Sequence, residues 1–129
     1  MSDTGPTIYQ IVHVDDDIDI LSIAKMALEA LGPFQVASFS SGSAALERIS
    51  SISPDLILLD LAMPEMDGRE TMRQIKEIPA LTDTPTVFLT AQLSPEVKRE
   101  LMDLGALEVL PKPFDPMSLH VELAKYIEA

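Results

Sequence analysis

The chain has no cysteine and no tryptophan in 129 residues, and its rings are limited to two tyrosines and four phenylalanines. Without cysteine there is neither a disulfide frame nor a thiolate metal site, a usage that suits a reducing cytoplasm. Without tryptophan, and with so few other rings, no platform exists on which bases could stack. Cations are scarce as well: nine Lys and Arg stand against 21 Asp and Glu, for a net charge of −12. Such a surface repels phosphate backbones and argues against direct nucleic-acid binding. It favours a metal cation or a basic protein patch as partner. No apolar run approaches the ~18 residues of a membrane span. The segment Met1–Thr7 lacks the basic start and apolar stretch of a secretory signal, and no G-x-x-x-x-G-K phosphate loop occurs.

What is present is a regular alternation of apolar runs and helical spacings. Hydrophobic residues make up 47% of the chain, enough at this length to bury one core without staples. Thr7–Val14 reads as a strand, and Asp17–Leu31 as a helix stopped by Gly32–Pro33. Phe34–Phe39 alternates weakly, as a strand near an edge does. Ser41 or Ser43 caps a helix running to about Ser51. Leu56–Leu59 has no polar gap, so both its faces should be covered. A third helix over Asp67–Ile78 is closed by Pro79, and Thr86–Leu89 follows as a strand. Ser94-Pro95-Glu96 opens a helix reaching Leu104, Leu107–Leu110 is a short fifth strand, and Asp115-Pro116 starts the last helix. Repeated βα units predict an α/β fold: one doubly wound, five-stranded parallel sheet in the flavodoxin-like order 2-1-3-4-5, with helices on both faces. Pro111, at the end of the fifth strand, agrees with an edge position there. The expectation is a single domain over residues 1–129, with residues 1–6 as a flexible N-terminal tail.

Polar groups stand at the ends of four of these strands: Asp15 and Asp16, Asp60, Thr90 and Lys112. The carboxyl ends of parallel strands are where such a sheet builds its site. One of Asp15–Asp17 should cap the first helix, but a cap needs only one carboxylate. Clustered carboxylates raise one another's pKa unless a cation is present, and oxygen donors with water suit Mg²⁺. Asp60 would be a third acid at that ion, and a carboxylate beside a divalent cation can accept a phosphoryl group. Lys112 sits between Pro111 and Pro113, a rigid setting that aims its ammonium, and Asp60 is the natural target.

Taken in order, Val14-Asp15-Asp16, Leu58-Leu59-Asp60 with Met63-Pro64 and Asp67-Gly68, Leu89-Thr90-Ala91, and Lys112-Pro113-Phe114 resemble the receiver domain of bacterial two-component response regulators. The resemblance covers essentially the whole chain. It implies that Asp60 accepts phosphate from a phosphohistidine on a histidine kinase or histidine phosphotransfer protein. Asp16 and Asp60 would ligate Mg²⁺, with Mn²⁺ as the alternative ion, Asp15 acting through water and the Ala62 carbonyl as a further ligand. Thr90 and Lys112 would hold phosphate oxygens, with the Lys112–Pro113 bond cis. It further implies a cytoplasmic switch, either stand-alone or a domain of a larger regulator or hybrid kinase, that catalyses its own phosphoryl transfer and slow autodephosphorylation but is no turnover enzyme. Its output to a downstream protein would be a surface at helix four, strand five and helix five, where Lys98 and Arg99 lie. No contact with nucleic acid or membrane is implied.

One departure stands out. Receiver domains usually place an aromatic three residues before the lysine, and here that residue is Val109. Val has neither the reach nor the rotamers of a swinging ring, so the coupling from site to surface is open, and a phosphorylation-independent interaction module on the same fold is the alternative reading. Ala62 and Gln92 occupy positions that tune phosphate lifetime in the family. On the first helix, Ile20, Leu21, Ala24, Leu28 and Leu31 read as core. Ile23 and Met26 lie to one side, either as a widening of that face or as a docking patch for the phosphodonor helix. In the last helix Leu119, Leu123 and Ile127 read as core and His120 as surface, while His13 reads as packed at the core edge. Two other classes fit less well. A haloacid-dehalogenase-like phosphohydrolase needs a second acid where Ala62 stands. A flavodoxin needs hydroxyls where Asp15–Asp17 would repel the cofactor's phosphate.

Overall fold

Turn residues cut the chain into alternating strands and helices that assemble around one sheet. The computed structural model describes residues 7–127, so the expected tail over residues 1–6 lies outside the described residues. In chain order the elements are β1 (Tyr9–Val14), α1 (Ile18–Leu31), β2 (Phe34–Phe39), α2 (Gly42–Ile52), β3 (Leu56–Leu59), α3 (Gly68–Lys76), a 3₁₀ turn (Pro79–Leu81), β4 (Thr86–Thr90), α4 (Pro95–Asp103), β5 (Glu108–Pro111) and α5 (Leu119–Ile127). The strands are parallel, in the order β2-β1-β3-β4-β5, as the βα repeat predicts. Pro111 ends β5 at the sheet edge, where its missing N–H removes no ladder bond.

Strand alternation divides the core into two layers. Val12, Val14, Ile57, Leu59, Phe88 and Val109 pack with Ile49, Ile75 and Leu101 under α2, α3 and α4. Ile11, Leu56, Leu58, Val87 and Leu89 pack with Ala24, Leu28, Leu119 and Leu123 under α1 and α5. Polar side chains start the helices, each accepting a bond from an orphan N–H: Asp17 for α1, Ser41 for α2, Asp67 for α3 and Ser94 for α4.

Four expectations need correction. Leu31 is 41% exposed and Ile20 is only half-buried, so the buried stripe of α1 is Leu21, Ala24 and Leu28; Leu31 instead lines a surface groove with Pro116 and Met117. The third helix ends at Lys76, and the Pro79–Leu81 turn carries the chain on to β4. The last helix begins at Leu119, because Asp115 Oδ1 accepts from Met117 N (2.9 Å) and holds residues 115–118 in a turn. His120 is half-buried, with Nδ1 enclosed and unpartnered, its Cβ packed close to Gly32 at the end of α1.

Candidate functional site

Parity along the strands decides which strand-end groups meet. Asp15 continues the Ile11–His13 face of β1, Asp60 the Leu56–Leu58 face of β3, and Lys112 follows Leu110 of β5; Ile11, Leu56, Leu58 and Leu110 all pack in the α1/α5 layer. Thr90 continues the Phe88 face, toward α4. The strand ends are level: Asp15 N donates to Phe39 O (3.1 Å), Asp60 N to Val14 O (2.9 Å) and Lys112 N to Thr90 O (2.9 Å).

The result is one cluster. The Lys112 ammonium lies 2.7 Å from Asp15 Oδ2 and 3.3 Å from Asp60 Oδ1. Sequence reasoning aimed it at Asp60 alone; the structure divides it between two carboxylates, with the shorter approach to Asp15. Asp15 is fully buried and Asp60 only 5% exposed, whereas Asp16 is exposed. Backbone donors hold both buried acids: Asp15 Oδ1 accepts from Asp17 N (2.9 Å) and Asp60 Oδ1 from Leu61 N (2.9 Å). Asp17 is the residue spent on capping α1, through bonds from Asp19 N and Ile20 N.

The electrostatics are unbalanced. Burial pushes the Asp60 carboxyl up to about 6, and the Asp15 charge adds to that; Lys112 and the Leu61 N–H pull the other way without cancelling it. Burial also works against the Lys112 ammonium, but its bonds and attraction to Asp15 and Asp60 prevail and hold its pKa above the ordinary lysine value. Carboxylate oxygens of Asp15, Asp16 and Asp60 lie within 4.8 Å of one another. Asp15 Oδ2 is enclosed without a well-formed hydrogen bond and has only the ammonium beside it. One ammonium does not balance three carboxylates. Hard oxygen donors, one on the solvent side, fit a divalent cation of the Mg²⁺ or Mn²⁺ class.

The remaining predicted residues surround this cluster. Thr90 is buried and its Oγ1 accepts from Gln92 N (3.0 Å), a bond within its own loop. Ala62 is exposed two residues after Asp60. The Lys112–Pro113 peptide is cis. Val109 is 3% exposed, in register with Phe88 and packed in the layer that holds Leu101. Ile23 and Met26 are 46% and 72% exposed, which removes the reading of a broadened buried face. With Leu31, Pro116 and Met117 they line a shallow apolar groove where α1 meets the turn before α5.

Two features escaped sequence reasoning. His13 is wholly buried in the second strand from the edge, not at a core edge. Both its ring nitrogens lack partners, and burial, with a smaller contribution from the Lys112 charge, drives its pKa down to about 3. Its place two residues before Asp15 on one strand face was the available signal. The backbone donors of Asp17 and Leu61 had none, since they depend on the turn conformation.

Comparison with known proteins agrees with this geometry. Residues 11–124 match the family model described as the response regulator receiver domain. The chain is 40% identical over 116 residues to the transcriptional regulatory protein ZraR of Escherichia coli, covering 89% of this chain and 25% of that protein. It is 35% identical over 111 residues to a CpxR homologue of Haemophilus influenzae, covering 85% of this chain and 46% of that one. Among solved structures it resembles the Vibrio cholerae chemotaxis protein CheY4 with a TM-score of 0.86 at 30% identity, covering 94% of this chain and 99% of that one. The chain therefore spans about a quarter to a half of the length of these curated relatives.

Proposed function

The chain belongs to the response regulator receiver domain family, and on that premise we propose that it is a phospho-accepting switch whose acceptor is Asp60. An Asp60 carboxylate oxygen attacks the phosphorus of a phosphohistidine on a histidine kinase or histidine phosphotransfer protein. The new O–P bond forms as the P–N bond breaks, and the released imidazole nitrogen takes up a proton. Asp16, Asp60 and the Ala62 carbonyl would hold Mg²⁺, or Mn²⁺ in its place, with Asp15 acting through water. When bound, that ion supplies positive charge for the phosphoryl oxygens.

The chain's own groups do the rest. Lys112, now shared by Asp15 and Asp60, is placed to pair with a phosphoryl oxygen once one is present. Thr90 Oγ1 already accepts a bond from Gln92 N, so its hydroxyl proton remains available for a second phosphoryl oxygen. The exposed Ile23 and Met26 would dock the phosphodonor helix beside the site. The output would be a change at the surface of α4, β5 and α5, read by a downstream protein. The domain would act in the cytoplasm, with slow autodephosphorylation. Among the described residues no helix is long and apolar enough to cross a membrane.

The observation that carries this reading is the half-buried ammonium between two strand-end carboxylates, with a third carboxylate on the solvent side. Its test is mass spectrometry after incubation with acetyl phosphate and Mg²⁺. The expected result is a gain of one phosphoryl group, absent in Asp60→Asn and without Mg²⁺; a gain that persists in Asp60→Asn overturns it. Val109 favours a second reading, a phosphorylation-independent interaction module, which no gain in the native chain would support.

A further inference from the structure

Helix α4 is held differently from its neighbours. Leu101 is its one buried residue and Val97 is half-buried; the rest of Pro95–Asp103 is exposed. Beneath it, β5 offers the small Val109 in place of a ring. Two ion pairs flank the helix. On one side Arg69 of α3 grips Glu100 with a fork: Nε to Oε2, and Nη2 to Oε1 at 2.9 Å. On the other, Lys98 Nζ lies 3.1 Å from Glu108 Oε1 of β5, the same oxygen that accepts from Val109 N (2.9 Å). A groove lined by Arg69, Met72 and Leu104 separates α3 from α4, so the Arg69 fork spans open surface between them.

Arg69 is also tied to the acceptor loop. It adjoins Gly68, the first residue of α3, whose N–H donates to Leu61 O (2.8 Å). A Cβ on Gly68 would lie 2.3 Å from the Asp60 carbonyl oxygen and 2.7 Å from Phe88 Cε1. The start of α3 is thus pressed against the Asp60–Leu61 backbone, with no slack between them. Arg69 Nη1 further lies 3.4 Å from Asp67 Oδ2, whose other oxygen caps α3 through Glu70 N (3.1 Å).

We infer that Arg69 and Glu100 form a clasp that sets the position of α4 and carries the state of the Asp60 loop to it, in place of the aromatic that Val109 replaces. The coupling half rests on Asp60 being the acceptor; the clasp half does not. The physical scale is adequate. An exposed pair biases an equilibrium by up to roughly fivefold, and bidentate geometry places this pair at the upper end. That is enough to bias a helix held by one buried leucine.

The test is amide hydrogen exchange over α4, with and without beryllofluoride and Mg²⁺ as an acyl-phosphate mimic. In the resting state Arg69→Gln and Glu100→Gln should each speed α4 exchange by about fivefold, the double variant should add nothing, and Arg69→Lys, which keeps charge without the fork, should lie between. Raising salt should speed α4 exchange in the native chain and leave Glu100→Gln unchanged. The change produced at α4 by beryllofluoride should shrink in both single variants while the amides of β1 and β3 keep their protection. Unchanged resting exchange, or additive effects of the two variants, overturns the clasp. A full beryllofluoride response in Glu100→Gln overturns the coupling. If the native chain shows no beryllofluoride response at Thr90 or Lys112, the acceptor reading fails and the coupling with it, while the resting-state variants and salt series still decide the clasp.

Discussion

The two faces of the sheet divide the work unequally. Toward α1 and α5 lie the buried ionisable groups His13, Asp15 and Asp60, with the half-buried Lys112, under helices anchored by more than one buried side chain each: Leu21, Ala24 and Leu28, then Leu119 and Leu123. On the β4 face toward α4 the buried polar groups are uncharged hydroxyls, Thr86 and Thr90, and α4 has one buried leucine and a rim of ion pairs. The face that holds the charge is rigid; the face that would report it is loosely seated. Buried charge is tolerable only where it is paired or holds a cation, which demands fixed geometry. A helix that must move has to be drawn from the weakly held end of the structure.

The largest effect is expected at His13, on the polar face. The folded chain keeps this ring neutral down to about pH 3, while the unfolded chain binds a proton near 6.5. The unfolded state therefore holds more protons between those values, and stability falls as pH drops through that window, by about 1.4 kcal/mol per unit. His13→Leu should remove this slope and add about 1–3 kcal/mol at neutral pH by eliminating two unpartnered nitrogens. Urea melts at pH 7.5 and 4.5 measure both effects, and a variant with the native pH slope would show that the ring is not the buried base described.

Next in size is the contrast between two fully buried leucines. Leu28→Ala, in the α1/α5 layer, should lower global stability by about 3 kcal/mol. Leu101→Ala should instead appear first as faster exchange confined to α4, with a smaller shift of the global melt. Equal global losses with no local loosening would show that α4 is as firmly seated as α1.

Asp60→Asn sharpens the same contrast from the site. The folded-state pKa of Asp60 is raised from 3.8 to about 6, so its favourable contribution is complete below the unfolded value and is lost as pH rises through 6. Replacing the charge should raise stability by on the order of 2 kcal/mol at pH 8 and make little difference at pH 4. Thermal melts at the two pH values check the sign. The smallest effect is expected at Lys98→Gln, which removes a partly exposed pair with Glu108: at most about 1 kcal/mol, shrinking in high salt.

Much of this was legible in the chain. The uninterrupted run Leu56–Leu59 read as a strand covered on both faces and lies at the centre of the sheet. Ser94 before Pro95, and Asp67 before Gly68, read as caps because short polar side chains satisfy orphan N–H groups locally. The strand-end positions of Asp15, Asp60, Thr90 and Lys112 followed from the same runs. Helical spacing gave Leu31 the same claim to burial as Leu28; only the tertiary packing, which sets Leu28 in the core and Leu31 on a surface groove, separates them. Asp115 promised a cap at once, yet its bond to Met117 N delays α5 to Leu119, a competition between local bonds that spacing does not resolve.

What the sequence determined by itself is periodic and local: the βα repeat, hence the parallel sheet, and the residue types gathered at its carboxyl edge, because period and turn chemistry act within a few neighbouring residues. Only the tertiary structure decided how those groups share their charge. Lys112 answers to Asp15 as well as Asp60, His13 lies sealed in the strand leading to them, and Arg69 reaches Glu100, 31 residues away in the chain. Ion pairing and desolvation depend on distance and exposure in three dimensions, and neither is written in the order of residues along the chain.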